Sequence, residues 1–527
     1  MSLIEYLKRI FGISENKTSG VDLSATSQGR SNLTSHDSEY KVTLVDQRKP
    51  YTPLKPIEFT PAIPVRELNR QATRSWIRPI LRPIVPKPIE EIEVTEEFQK
   101  VIELAGSVPL LLVNGKAGTG KTTLIHYLNN LLRVNGKNIV IVAPTGVAAI
   151  MVGGSTIHSF FRFPPRVIMD EDIRKLEDRK LYSTLDLLII DEISMVRADI
   201  LDAIDKFLRL NGPNSSQPFG GVSLLLVGDL FQLPPVVDRT EESILIARNY
   251  TSPFFFSAHS LQESKLVPVE LTKVFRQRDV AFAELLNRLR MAEDLDSIIP
   301  TINQRCICVE PPPENVITLT CTNIAADQIN RAKIESLPGM ERLFVGEIKG
   351  KFPVPEDKLP SPLRLALKVG AQVMFTKNDH EKRWVNGTLG IVTAIEDNSI
   401  HVKLISNRAG ETHDIHRENW DYFQYEYNYS EERIKAVSIG EYHQYPLMLA
   451  WAITIHKSQG KTLERVIVDF GNGAFASGQA YVALSRCRSL QDITLVRPLN
   501  PYEVICDQQI KRFYLAMIQY DSRYDFE

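Results

Sequence analysis

No run of apolar residues in this chain approaches the roughly 18 that a bilayer crossing requires, and the first residues lack the charge–apolar–cleavage order of a secretory leader. A membrane span and export are therefore not expected. Cysteine is scarce: five in 527 residues, an odd number without framework spacing, which fits a reducing compartment. Cys306 and Cys308 lie close together, but no second pair completes a zinc set, so they read as ordinary buried thiols. Net charge is nearly absent too. The balance of −2 argues against a globally basic nucleic-acid coat and leaves room for a local basic channel. What is present is length, enough for about three domains.

Residues 1–90 are short of long apolar runs and dense in proline from Pro50 to Pro88; they carry 14 Lys+Arg against 9 Asp+Glu, whereas 91–527 carry 48 against 55. Such a composition buries too little surface to offset the entropy of ordering, so a disordered tail or linker is expected. Two patterns stand out in it. Leu3, Ile4, Leu7, Ile10 and Phe11 fall on one helical face, and Arg66, Arg70, Arg74, Arg78 and Arg82 recur every four residues. Four of these arginines form a basic stripe if 65–78 is helical, and Pro79 and Pro83 would break it.

From Thr95 onward strand and helix patterns alternate. Short apolar runs at 139–143, 185–190 and 222–227 suit parallel strands buried on both faces, and each ends in a polar or glycine-bearing cluster. Open α/β sheets bind ligands at the carboxyl ends of their strands, so these clusters should converge on one site. The pattern resumes at about 315 and again at 463–470 and 492–496, which predicts a second α/β domain. Between these, 372–374, 390–395 and 400–405 alternate in β fashion around the hairpin signal Asn386-Gly387. The expected organisation is a tail at 1–90 and a first domain at 91–255, with a small pin insertion near 155–180. A second domain follows at 256–375 and 446–527, interrupted by a β-rich insertion at 376–445.

Residues 115–122 read GKAGTGKT behind the apolar stretch VPLLLV at 108–113. A strand feeding G-x-x-x-x-G-K-[ST] is a phosphate-cradling P-loop. Gly115, Gly118 and Gly120 let backbone N–H groups turn toward one anion, Lys121 supplies charge for the β- and γ-phosphates, and Thr122 a hydroxyl for Mg²⁺. Helical spacing over 124–132 aims an N-terminal dipole at the same phosphates. A nucleoside triphosphate is the expected ligand. Asp191-Glu192 closes the strand in LLIIDEIS; Asp191 would hold Mg²⁺ through its water shell and Glu192 polarise the attacking water.

These motifs continue in a fixed order: APTGVAA (143–149), STIHSFF (155–161), IIDEISM (189–195), GDLFQLPPV (228–236), VFRQ (274–277), NGTLGIV (386–392), WAITIHKSQGKTL (451–463) and YVALSRCR (481–488). Over about residues 93 to 500 the chain resembles the Pif/RecD-like helicases, the 5′-to-3′ class of helicase superfamily 1. The resemblance implies an α/β fold of tandem RecA-like P-loop NTPase domains with a small β-barrel-like insertion in the second. It implies a helicase that uses ATP and Mg²⁺ to move along single-stranded DNA and unwind duplex.

The resemblance also distributes roles. Ala117, Thr119, Thr123 and Gly460 would join the nucleotide site, and Gln99 in EVTEEFQ would read adenine. Gln232 would bridge the γ-phosphate to the DNA surface, since an amide both donates and accepts. Arg276 and Arg486 would reach the triphosphate from the second domain, which makes hydrolysis depend on closure. On the DNA side, Pro144, Thr145 and Gly146 offer backbone N–H and hydroxyl to phosphates, while His158 and Phe160 would stack on bases. Thr322 and Asn323 mirror that cluster in the second domain, and His456 and Lys457 complete the track. A pin at about 161–175 would part the strands.

The implied partners are single-stranded and forked DNA, met by a monomeric motor at a prokaryotic nucleoid, or in a nucleus or mitochondrion. The competing class is a helicase-like DNA-dependent ATPase subunit of a repair, recombination or conjugation complex, with the N-terminal extension docking a protein partner. Retention of Glu192, Arg276 and Arg486 favours an active motor. A small-molecule kinase is opposed by the motifs of the second domain.

Overall fold

The computed structural model describes residues 93–521 apart from 278, 307–312 and 406–409. The N-terminal amphipathic segment, the arginine stripe and Cys308 lie outside them. After α1 (Glu96–Leu104), six parallel strands make the first sheet: β1 (Leu110–Gly115), β2 (Ile139–Ala143), β3 (Ser155–Thr156), β4 (Leu187–Ile190), β5 (Ser223–Gly228) and β6 (Leu266–Leu271), in the order β3-β2-β4-β5-β1-β6. β1 shows why its apolar run is continuous. Leu110 and Leu112 enter one core and Leu111 and Val113 the other, so neither face keeps a polar alternation.

The first domain is longer than expected. β6 pairs with β1, so the boundary at 255 moves beyond Leu271. Pro268 obscured this strand, because proline cannot donate to a ladder; at the sheet's edge it is tolerated.

β7 (Ile317–Thr320) opens the second sheet and an antiparallel insertion follows. Its strands are β8 (Arg342–Val345), β9 (Glu347–Gly350), β10 (Arg364–Leu367), β11 (Gln372–Phe375), β12 (Leu389–Ile395), β13 (Ile400–Leu404), β14 (Thr412–Ile415), β15 (Glu418–Asn428), β16 (Arg433–Gln444) and β17 (Leu447–Leu449). β9 pairs with β16 and β11 with β17, so the insertion begins near Arg342 rather than at 376. Asn386-Gly387 is not a two-residue turn either: β11 and β12 pair, but the chain between them runs through 376–388. β18 (Ala452–Thr454), β19 (Val466–Asp469) and β20 (Ile493–Leu495) then complete a parallel sheet ordered β18-β7-β19-β20. One continuous apolar core joins Leu112 and Leu226 of the first sheet to Ile317 and Leu319 of the second.

The β15–β16 hairpin lies against β2. β3 pairs only with Val142 and Ala143, and Tyr425 takes up the next position: its hydroxyl accepts from Ile141 N–H (3.1 Å) and donates to Ile141 O (3.3 Å). Asn138 Oδ1 accepts from Ile434 N–H at 2.8 Å, and Arg133 donates to Ile434 O at 3.1 Å. Among the described residues no helix is long and apolar enough to cross a membrane.

Candidate functional site

β1 delivers the P-loop and α2 (Lys121–Val134) leaves it. Gly118 (φ +86°) and Gly120 (φ +82°) hold the left-handed conformations this loop requires. Gly118 also admits Arg276, because a Cβ there would stand 2.4 Å from the Arg276 Cβ. Lys121 folds over the loop and donates to the carbonyls of Gly115 (2.7 Å) and Lys116 (3.1 Å). Burial holds its ammonium below the usual lysine range, against the pull of Asp229, Glu192 and Asp191.

A cavity of about 710 Å³, large enough for a nucleotide, opens over the loop. Ala117, Gly118, Gly120, Lys121, Thr122 and Thr123 line it, joined by Glu192, Gln232, Gly460, Arg276 and Arg486. Gly115 and Thr119 are not part of the wall; Thr119 is buried and its hydroxyl donates to Lys116 O at 3.0 Å.

Asp191 is buried, and the adjacent Glu192 is half-buried at the cavity wall. Burial first and Glu192 second push the Asp191 carboxyl up to about 7, and burial raises Glu192 as well. A divalent cation relieves such crowding. The Thr122 hydroxyl and the Asp191 carboxylate are the hard oxygen donors Mg²⁺ takes, and phosphates and water would complete its shell. Among the described residues no group of three His, Cys, Asp or Glu is placed to hold a metal alone.

The two arginines come from opposite sides. Arg276 follows β6 and so belongs to the first domain, not the second as expected; it donates to Ser485 O at 3.2 Å, and Gln277 donates to Ser485 O and Cys487 O, both at 3.2 Å. Arg486 is the second-domain arginine and is 1% exposed. It donates to Val482 O (2.8 Å), Ser485 Oγ (2.8 Å) and Ser458 O (3.2 Å). Burial, then Arg276, brings its guanidinium down to about 9. Gln232 donates to Asp229 Oδ2 at 3.1 Å. Gln459, which the sequence reading did not single out, reaches Gln232 Oε1 (3.0 Å) and Glu192 Oε2 (3.2 Å) across the cleft.

Gln99 does not reach the cavity. It is exposed and donates to Glu103 at 2.8 Å, because the face of α1 turned inward carries Phe98 instead. Phe98 and Phe275 line the cavity with ring centroids 6.5 Å apart. Replacing Phe275 by alanine should raise the KM for ATP about tenfold, on the scale of base–aromatic stacking, whereas Gln99→Ala should leave it unchanged. Steady-state titration of ATP separates the two; a KM that follows Gln99 instead would restore the original expectation.

The nucleic-acid candidates share a local design. In the first sheet the neighbouring strands β2 and β3 lead into α3 (Gly146–Met151), capped by Thr145, and α4 (Ile157–Phe161), capped by Thr156. In the second, neighbours β7 and β18 lead into α5 (Asn323–Ser336), capped by Thr322, and α6 (Ile455–Ser458), capped by Thr454. Pro144, Gly146, Asn323, His456 and Lys457 all sit at these junctions. His158 is half-buried, and burial and Arg197 disfavour its charged form. Phe160 is corrected: at 5% exposure it packs edge-on to Phe161 and Tyr425 and has no face for a base. The segment after α4 is anchored rather than free, with Phe163, Val167 and Ile168 buried.

Two RecA-like sheets closing on one P-loop cavity, with an arginine from each side, define a two-domain P-loop ATPase of the helicase kind. The sequence profile described as PIF1-like helicase matches residues 91–295, and a second helicase profile matches 428–518. The ATP-dependent DNA helicase PIF1 of Homo sapiens is 32% identical over 86% of this chain and 67% of its own length. The ATP-dependent DNA helicase Pif1 of Bdellovibrio bacteriovorus is 31% identical over 81% of this chain and 93% of its own. Crystal structures of Pif1 from Bacteroides, each 38% identical and covering 82% of this chain and 98% of the other, superpose with TM-scores of 0.73 for the ADP-AlF4 complex and 0.57 for the form bound to single-stranded DNA. The chain belongs to the PIF1-like helicase family. It is an ATP-hydrolysing helicase, and its cofactors are ATP and Mg²⁺.

Proposed function

We propose that this helicase translocates 5′ to 3′ on single-stranded DNA and opens duplex at forks as a monomeric motor, at the nucleoid or in the nucleus. The observation that carries this reading is the repeated threonine-capped junction. Each sheet offers two neighbouring helix starts, whose backbone N–H groups and hydroxyls suit successive phosphates. ATP closing the cleft brings one pair toward the other, and hydrolysis lets them part. The exposed tip of the segment after α4, at Arg162, Pro165 and Arg166, is the strand-parting pin. Tailed duplexes with ATP and Mg²⁺ test the reading: unwinding should require a 5′ overhang, and unwinding from 3′ overhangs alone would reverse the polarity.

DNA must compete with the insertion for part of this surface. Val354 packs on Gly146, 3.1 Å from where a Cβ would stand, and the Tyr422 hydroxyl lies 3.4 Å from Thr156 Oγ1. Tyr425→Phe removes the bonds to Ile141 and leaves both backbone groups unpaired in the docked arrangement only. Single-stranded DNA should then bind up to about tenfold more tightly, the equivalent of one buried hydrogen bond. Fluorescence anisotropy of a labelled oligonucleotide reads this directly, and weaker binding would mean that the hairpin helps rather than competes.

A further inference from the structure

Tyr481, in the helix Gln479–Leu484 of the second domain, is 3% exposed, and its hydroxyl reaches the first domain twice. It accepts from the P-loop amide of Ala117 at 3.1 Å and donates to Asp229 Oδ2 at 3.0 Å. The same carboxylate oxygen accepts from Gln232 Nε2 at 3.1 Å. Gln232 Oε1 in turn accepts from Gln459, which also donates to Glu192. The bonds therefore run from P-loop to Tyr481, Asp229, Gln232, Gln459 and Glu192. They cross between the domains at the tyrosine and again at Gln459.

The direction of the relay is fixed by chemistry. Burial and the Asp229 carboxylate push the phenol above its usual range, so it keeps its proton. A neutral phenol can donate once to the carboxylate and accept once from the amide. Beside it, the buried Arg290 guanidinium stands 4.9 Å from the ring centroid of Phe231, the residue before Gln232; it donates to the Tyr514 hydroxyl at 2.9 Å, and its Nε and other terminal nitrogen have no hydrogen-bond partner among the described residues. Its charge lies near Asp229, at the middle of the relay, as well as near Glu270, 3.5 Å away.

We propose that Tyr481 is a positioning residue for hydrolysis: acting through Asp229, it fixes Gln232 in the cavity only while the second domain is seated against the P-loop. This rests on the motor reading above. Ala117 and Asp229 share one hydroxyl carried by one helix, so separation of the domains removes both bonds together. Gln232 then keeps its acceptor but loses the constraint on where that acceptor points. Hydrolysis thereby acquires a condition on closure independent of the arginines, and it is sensed at the P-loop itself.

Tyr481→Phe keeps the buried ring and removes only the hydroxyl. DNA-stimulated kcat should fall about tenfold, the scale of one buried hydrogen bond, with the KM for ATP and the melting temperature nearly unchanged. In a Gln232→Ala background the same substitution should have no further effect on kcat, because both act through one chain of bonds. Full kcat in the single variant, a rise in KM with kcat intact, or effects that multiply in the double variant would each overturn the proposal. Should Tyr481→Phe also melt lower, the double variant still decides, since a packing loss lowers both backgrounds alike. A parent chain without DNA-stimulated hydrolysis would overturn the motor reading itself; a working parent whose Tyr481→Phe form is fully active overturns the positioning role alone.

Discussion

The Glu192→Gln protein should bind ATP as tightly as its parent and hydrolyse it about 10³-fold more slowly, in the middle of the range for a lost general base. The amide keeps the shape of the carboxylate and can still meet Gln459, but it cannot take a proton from water. The substitution also removes one of two crowded charges, since each carboxyl is raised by burial and Glu192 adds to the rise at Asp191. The variant should therefore melt no lower than the parent at neutral pH. Equilibrium nucleotide binding beside single-turnover hydrolysis measures both halves. Hydrolysis at the parental rate would identify another residue as the base.

Arg486→Ala should lower turnover by about 10³, the scale of an arginine finger, and should also destabilise the fold. Its guanidinium ties the carbonyls of Val482 and Ser458 and the Ser485 hydroxyl together inside the second domain, and alanine removes that shared donor, leaving Val482 O to the Ser485 hydroxyl and Ser458 O to the Lys461 amide. Arg276→Ala should match the loss of turnover with a smaller loss of stability, because among the described residues that side chain makes a single bond, to Ser485 O. Combining the two should give less than the product, since both serve one closed cavity. Turnover that survives Arg486→Ala while the melting temperature drops would make this arginine purely structural.

The parts of the site written contiguously were legible in the sequence. The P-loop, Asp191-Glu192 and Gln232 each follow a strand whose apolar run announced it, and most of the P-loop, Glu192 and Gln232 line one cavity, with Asp191 buried beside Glu192. What the sequence withheld depends on distant residues. Phe160 reads as a stacking aromatic until Tyr425 arrives, more than 260 positions later, to cover it. Gln99 and Phe98 are neighbours, and only the packing of α1 decides which of them faces the nucleotide. Pro268 hid an edge strand and thereby moved Arg276 to the wrong domain. The long hairpin escaped notice because polar and apolar residues alternate along β15, a pattern that periodicity assigns to no particular neighbour.

The placement of the insertion inside the second sheet has a consequence for synthesis. Every strand of the first sheet has been synthesised once Leu271 is made, so that sheet can close soon after it clears the ribosome. β7 must wait while the whole insertion is translated, because its neighbours are β18 and β19. Pairings so distant in sequence form slowly and leave apolar strands uncovered in the meantime. A nascent chain halted inside the insertion would carry a paired first sheet, still without the C-terminal helix that packs on Glu270 and Phe256, and an unpaired β7. The ATP cavity, which needs Gly460 and Arg486 from beyond that point, is thus among the last features the growing chain acquires.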